Sequence, residues 1–141
     1  MGCDIHMHVE IKIEDSWHHY SAPNVDRWYQ MFEKMAGVRG SLENAISEPK
    51  GLPADATEMT MIASRHDASD GHSHSWLSTD EIMQLEDWLK AQPATSMLDN
   101  DLEHSILNTY LFGNSFTGWK KYPQDNRDGV QDVRFIFWFD C

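Results

Sequence analysis

The chain has 141 residues, enough for one domain with a real core and far too few for a complete (β/α)8 barrel. Its 23 acidic residues against 11 basic ones leave a net charge of -12, which repels nucleic-acid backbones and excludes a duplex-binding module. Two cysteines, Cys3 and Cys141, make neither a disulfide framework nor a Cys-based zinc motif.

A reduced cysteine pair is the expectation, because nothing resembles a signal peptide or a membrane span and the apolar stretches are interrupted within a few residues. The expected setting is therefore cytoplasmic, with no membrane contact. Met1-Gly2-Cys3 opens like a myristoylation signal, but His6 stands where Ser or Thr is required.

In chain order, the first element is a two-sided strand. Asp4, His6, His8, Glu10, Lys12 and Glu14 alternate with Cys3, Ile5, Met7, Val9, Ile11 and Ile13. The polar side opens with a carboxylate and two imidazoles, successive members about 7 Å apart. Residues 16–24, ending in Pro23-Asn24, read as a loop. After Asp26 a helical pattern places Trp28, Met31, Phe32 and Met35 on one face, with Gly37 as C-cap. Residues 40–56 carry Pro49, Gly51 and Pro53 and read as an ordered loop.

Residues 57–64 predict a short helix, and 65–75 a polar stretch dense in His, Asp and Ser. Ser78 and Glu81 form a capping box that opens a helix burying Ile82, Leu85 and Leu89. Pro93 ends it; a third helix is expected over 96–110, with Asp99 and Asp101 in its first turn. Residues 114–131 read as a loop, and Val133, Phe135, Phe137 and Phe139 mark one face of a closing strand that carries Arg134 and Asp140 on the other. The expected fold is α/β of the α+β type, a single globular domain over residues 1–141. Its first and last strands are adjacent, and about three helices cover the sheet.

The chemistry lies in two His-x-His pairs, His6/His8 and His72/His74, with Asp4 beside the first and Asp140 brought near it if the end strands pair. The Asp4-Ile5-His6-Met7-His8 spacing is that of metal-dependent amidohydrolases, whose barrel the length excludes. His6, His8, His72, His74 and Asp140 form a candidate shell for zinc or another divalent metal, which would activate water for hydrolysis. Without metal, the candidate catalytic residues Asp4, His6, His8, His72 and His74 suit general acid-base catalysis, since imidazoles titrate near neutrality. Arg27, Arg39 and Arg134 are candidate phosphate holders, with Trp76 as a further substrate contact.

Several blocks resemble those of a family of small proteins encoded by bacteriophages and prophages. They are the opening Met1-Gly2-Cys3-Asp4-Ile5-His6, the segment Asp26 to Phe32 running on to Ala36-Gly37-Val38-Arg39, Ser47 to Pro53, Asp70-Gly71-His72-Ser73-His74-Ser75-Trp76-Leu77 and Phe137-Trp138-Phe139-Asp140. The resemblance implies a phage source and a shared site without supplying a reaction. By analogy with phage accessory proteins, the expectation is a small hydrolase acting on a phosphorylated, nucleotide-like ligand and countering host defence signalling in the host cytoplasm. The alternatives are a non-catalytic sponge for such a signal and an acidic protein that binds and inhibits a host factor. Assembly into a homo-oligomer is left open.

Overall fold

The computed structural model describes residues 2–67, 70–92 and 117–141. Four strands, β1 (Asp4–Ile13), β2 (Ser16–Ser21), β3 (Gly71–Leu77) and β4 (Val130–Asp140), form one antiparallel sheet in the order β2-β1-β4-β3. The first and last strands are thus neighbours at its centre, paired from Asp4↔Asp140 to Ile13↔Val130. Three helices accompany them: α1 (Tyr29–Ala36), α2 (Glu58–His66) and α3 (Thr79–Ala91). Residues 118–121 add one helical turn. The helix expected over 96–110 lies outside the described residues. Among those described, no helix is long and apolar enough to cross a membrane.

Register decides what each face does. Ile5, Met7 and Val9 stand opposite Phe139, Phe137 and Phe135. With Met31, Phe32 and Met35 of α1 and Ile82, Leu85 and Leu89 of α3 they form a buried core. Helices α1 and α3 reach that core with the apolar stripes their spacing predicts. Gly37 ends α1 at φ +76, a left-handed C-cap open to glycine at no steric cost. Ser78 and Glu81 close the capping box of α3 through both reciprocal bonds.

Two segments read as loop or polar stretch prove to be strands. Residues 16–21 fold back on β1 through a two-residue turn, with Glu14 at φ +52 and Asp15 at φ +63. Positive φ at both centres is the pattern whose twist matches a hairpin. Its usual Asn-Gly signature is missing, so aromatic and β-prone Trp17, His18, His19 and Tyr20 carried the only strand signal. Bonds between Asp15 and Gln131, at 2.7 and 3.0 Å, tie the turn to β4. Residues 71–77 likewise pair with β4. The loop before α2 runs beside them, with Gly51 N–H donating to the His74 carbonyl at 2.8 Å and Lys50 N–H to Ser75 Oγ at 3.0 Å.

The face away from the core is organised by one ion pair. Glu10 has no exposure to water, and Arg134 directly opposite it is 5% exposed. Arg134 Nε and Nη2 donate to Glu10 Oε1 at 2.9 and 2.7 Å, while Nη1 and Nη2 reach Asp55. Glu10 Oε2 accepts from Thr57 N–H, Thr57 Oγ1 and Thr60 Oγ1 at 2.9, 2.7 and 2.6 Å. Burial alone would raise the Glu10 carboxyl, but the bonds from Thr60, Thr57 and Arg134 outweigh it and lower its pKa. One carboxylate therefore pins the N-terminal turn of α2 to the sheet.

Removing it strands a buried guanidinium. Glu10→Ala is expected to lower stability by about 3 to 5 kcal/mol, and Thr60→Val, which deletes a single bond to the same oxygen, by about 1 to 2 kcal/mol. Urea unfolding at unchanged slope measures both. A Glu10→Ala loss below about 1 kcal/mol would show that the network is not needed to hold α2.

Candidate functional site

The histidines of the first strand stand on the face covered by α2. His6 is opposite Trp138 in the register and His8 opposite Ile136. The Trp138 ring, fully buried, is stacked by three imidazoles: His8 at 5.2 Å, His74 at 5.6 Å and His6 at 6.0 Å between centroids, all within 22° of parallel. The indole N–H donates to Asp67 Oδ2 at 3.2 Å, just beyond the C-terminal end of α2. Gly71 is where chain and indole come closest. A Cβ there would sit 2.9 Å from the Asp67 carbonyl and 3.3 Å from Trp138 Cδ1, so a larger residue would force the turn off the ring.

His6 lies between carboxylates. Its Nε2 is 2.7 Å from Asp140 Oδ2, and its Nδ1 is 3.6 Å from Asp67 Oδ2. About a third of the His6 and Asp140 side chains remains exposed, enough for a ligand to reach them. Burial tends to raise Asp67. Hydrogen bonds from His66 and the Trp138 indole and the charge of His6 reverse that and lower it.

His8 is different. Its Nδ1 meets His19 Nε2 at 2.9 Å, and burial, with His19 beside it, lowers its pKa to about 4. At neutral pH His8 therefore carries no charge. A groove of about 410 Å³ opens over it, lined by His8, His19, Met59, Ile62, His66 and Asp67 among others. His74, also lowered by burial and by His72, faces a second cleft with Leu52, Ser64 and Arg65. Residues of α2 line both.

The remaining candidates are dispersed. Ser73, at φ +54, makes a bulge in β3 between His72 and Ser75. On a regular ladder with no bulge, His72 and His74 would share a face. With the bulge, His72 packs beside Phe139 on the core side while His74 stacks on Trp138. The second His-x-His pair therefore does not join the first as one set. Asp4 accepts from Arg27 Nε and Nη2 at 2.7 and 3.2 Å, which lowers its pKa first through the hydrogen bond. It borders His6 through the Asp4↔Asp140 pair.

Of the expected phosphate holders, Arg27 lies exposed at this end of the sheet in its ion pair with Asp4. Arg134 is committed to Glu10 and Asp55 and stacks on Trp17 at 3.9 Å, because opposite buried charges had to pair. Arg39 lies over the Tyr29 ring, and Trp76 carries the Lys50 ammonium on its face at 3.8 Å. Sequence reading missed His19 and Asp67. His19 was within reach had residues 16–21 been taken as a strand, whereas Asp67 joins the site only through the packing of α2.

Among the described residues, the group of three or more His, Cys, Asp or Glu side chains whose ligand atoms all lie within 4.8 Å of one another is Cys3, His72 and Cys141. The shell of His6, His8, His72, His74 and Asp140 is not gathered to that distance. The cysteines are also not the expected reduced pair. Since Asp4 faces Asp140, the residues just outside them meet, and Cys3 and Cys141 form a disulfide with Cα atoms 4.0 Å apart.

The His8 shift predicts an acid weakness. Above about pH 6.5 both folded and unfolded His8 are neutral; below it the unfolded chain takes up a proton that the fold refuses until about pH 4. Stability should thus fall across that window, by about 2 kcal/mol after allowance for partial access of water. Urea midpoints at several pH values should decline less steeply for His8→Gln than for the parent; parallel curves would refute the burial of a neutral His8. No family model, curated protein or solved structure matches this chain.

Proposed function

We propose that this chain is a small hydrolase acting on a phosphorylated, nucleotide-like ligand at His6, beside the groove that His8 and Asp67 line. The observation that carries the reading is the imidazole of His6 held by Asp140 at 2.7 Å, with Asp67 near its other nitrogen and the hydrogen-bonded His8–His19 pair on the same face. A carboxylate that orients an imidazole is the arrangement of general acid-base catalysis. His6 then moves the proton, Asp140 and Asp67 position it, and water is the attacking group. Arg27 reaches the same end of the sheet and can exchange Asp4 for a phosphate oxygen. The apolar wall of Met59 and Ile62 suits a base or other flat apolar part of the ligand.

The phage origin, the host cytoplasm as place of action and an anti-defence role belong to the same proposal and rest on the resemblance. A non-catalytic sponge is the second reading, favoured by the mostly apolar lining of the groove and by the absence of charge on His8.

A screen of cyclic and linear nucleotides for loss of substrate separates the two. The parent should turn over one class, and His6→Ala and Asp140→Asn should each lower its kcat by about 10² to 10⁴ with the fold retained. His72→Ala, on the other face, should leave turnover unchanged. Ligand binding by the parent with no turnover of any class replaces hydrolysis by sequestration, and folded His6→Ala with full activity removes His6 from the chemistry.

A further inference from the structure

The start of β1, the end of β4 and the start of β3 meet at one end of the sheet. On the core side of that end they assemble soft metal ligands. Cys3 and Cys141, joined across 138 residues of sequence, have His72 beside them, and one ligand atom from each lies within 4.8 Å of the others. Cys3 is fully buried and its N–H donates to Tyr29 Oη at 3.1 Å, so one corner of the group is fixed. Cys141 and His72 are exposed. Ser73 Oγ bonds His72 Nδ1 at 3.0 Å, leaving Nε2 as the remaining ring nitrogen.

We propose that reduction of the Cys3–Cys141 disulfide opens a zinc site with two cysteine ligands and one histidine, His72. A thiol reductant supplies two electrons and two protons, attacks at the exposed Cys141 sulfur and leaves as its own disulfide, giving two thiols on this chain. Zn²⁺ then displaces both thiol protons, forms two Zn–S bonds and one bond to His72, and leaves the fourth position to water. With Zn–S bonds near 2.3 Å the sulfurs must separate to about 3.7 Å. Cys141 lies past the last ladder pair of β4 and can make that movement while Cys3 stays. Two thiolates and an imidazole favour zinc over harder divalent ions. The bulge at Ser73 thereby acquires a purpose, since it turns His72 toward the sulfurs and away from the indole stack.

The test uses the whole chain, reduced by a phosphine that does not compete as a thiol and with both free thiols counted. Titration with Zn²⁺ against a chromophoric chelator should give one ion per reduced chain. The oxidised chain should take up none, and reduced His72→Ala should bind at least about tenfold more weakly. Cobalt in place of zinc should show thiolate-to-metal charge transfer in the reduced parent. The proposal is overturned if the reduced chain binds no zinc, if His72→Ala binds as well as the parent, or if the oxidised chain binds equally. Should reduction loosen the fold, circular dichroism decides: recovery on adding zinc supports the site, and no recovery counts against it.

Discussion

A carboxylate with no access to water has to find partners for both oxygens, and in this protein that requirement shapes one whole side of the molecule. Glu10 takes its charge partner from directly across the ladder and its hydroxyl and amide donors from the start of α2. Slipping β1 against β4 by one residue would turn Glu10 into the phenylalanine core. Buried pairs of this kind are weak evidence of net stability, yet they penalise every arrangement in which one partner is left alone. The pair therefore selects register and helix position together. Everything on that face, including the groove, inherits its geometry from this selection.

Trp138 is the second fixed point. Its indole is too large to leave exposed, and its one N–H needs an acceptor, which Asp67 provides. The acceptor sits past the last turn of α2, so satisfying the indole also delivers a carboxylate to the Nδ1 side of His6. Asp140 arrives on the Nε2 side for an independent reason, the ladder pairing that sets it against Asp4. Two unrelated folding constraints thus converge on a single imidazole.

Much of the fold was legible because the alternation at both ends of the chain is nearly unbroken, and only one pairing buries Ile5, Met7 and Val9 against three phenylalanines. The capping box at Ser78 and the glycine at position 37 were equally local signals. What stayed hidden depends on geometry without a local signature. The hairpin turn uses Glu14-Asp15 in place of glycine, and a single bulge residue divides a His-x-His pair that spacing alone assigns to one face. Asp67 reaches the site only through the helix that Glu10 holds. Arg134 shows the converse error. An arginine next to candidate ligands looks available in sequence, but its own burial had already committed it.

The Ser73 bulge also bears on how the protein can change over generations. Because parity switches at that residue, His72 and His74, two positions apart, answer to different chemistry, one to sulfur and the core edge, the other to an indole stack. A substitution at either is free of the other's constraints. Flattening the bulge at constant length would couple them again, because His72 and His74 would then lie two positions apart on a regular ladder and share a face. The left-handed backbone of Ser73, at φ +54, is what keeps the two histidines on separate faces of the sheet.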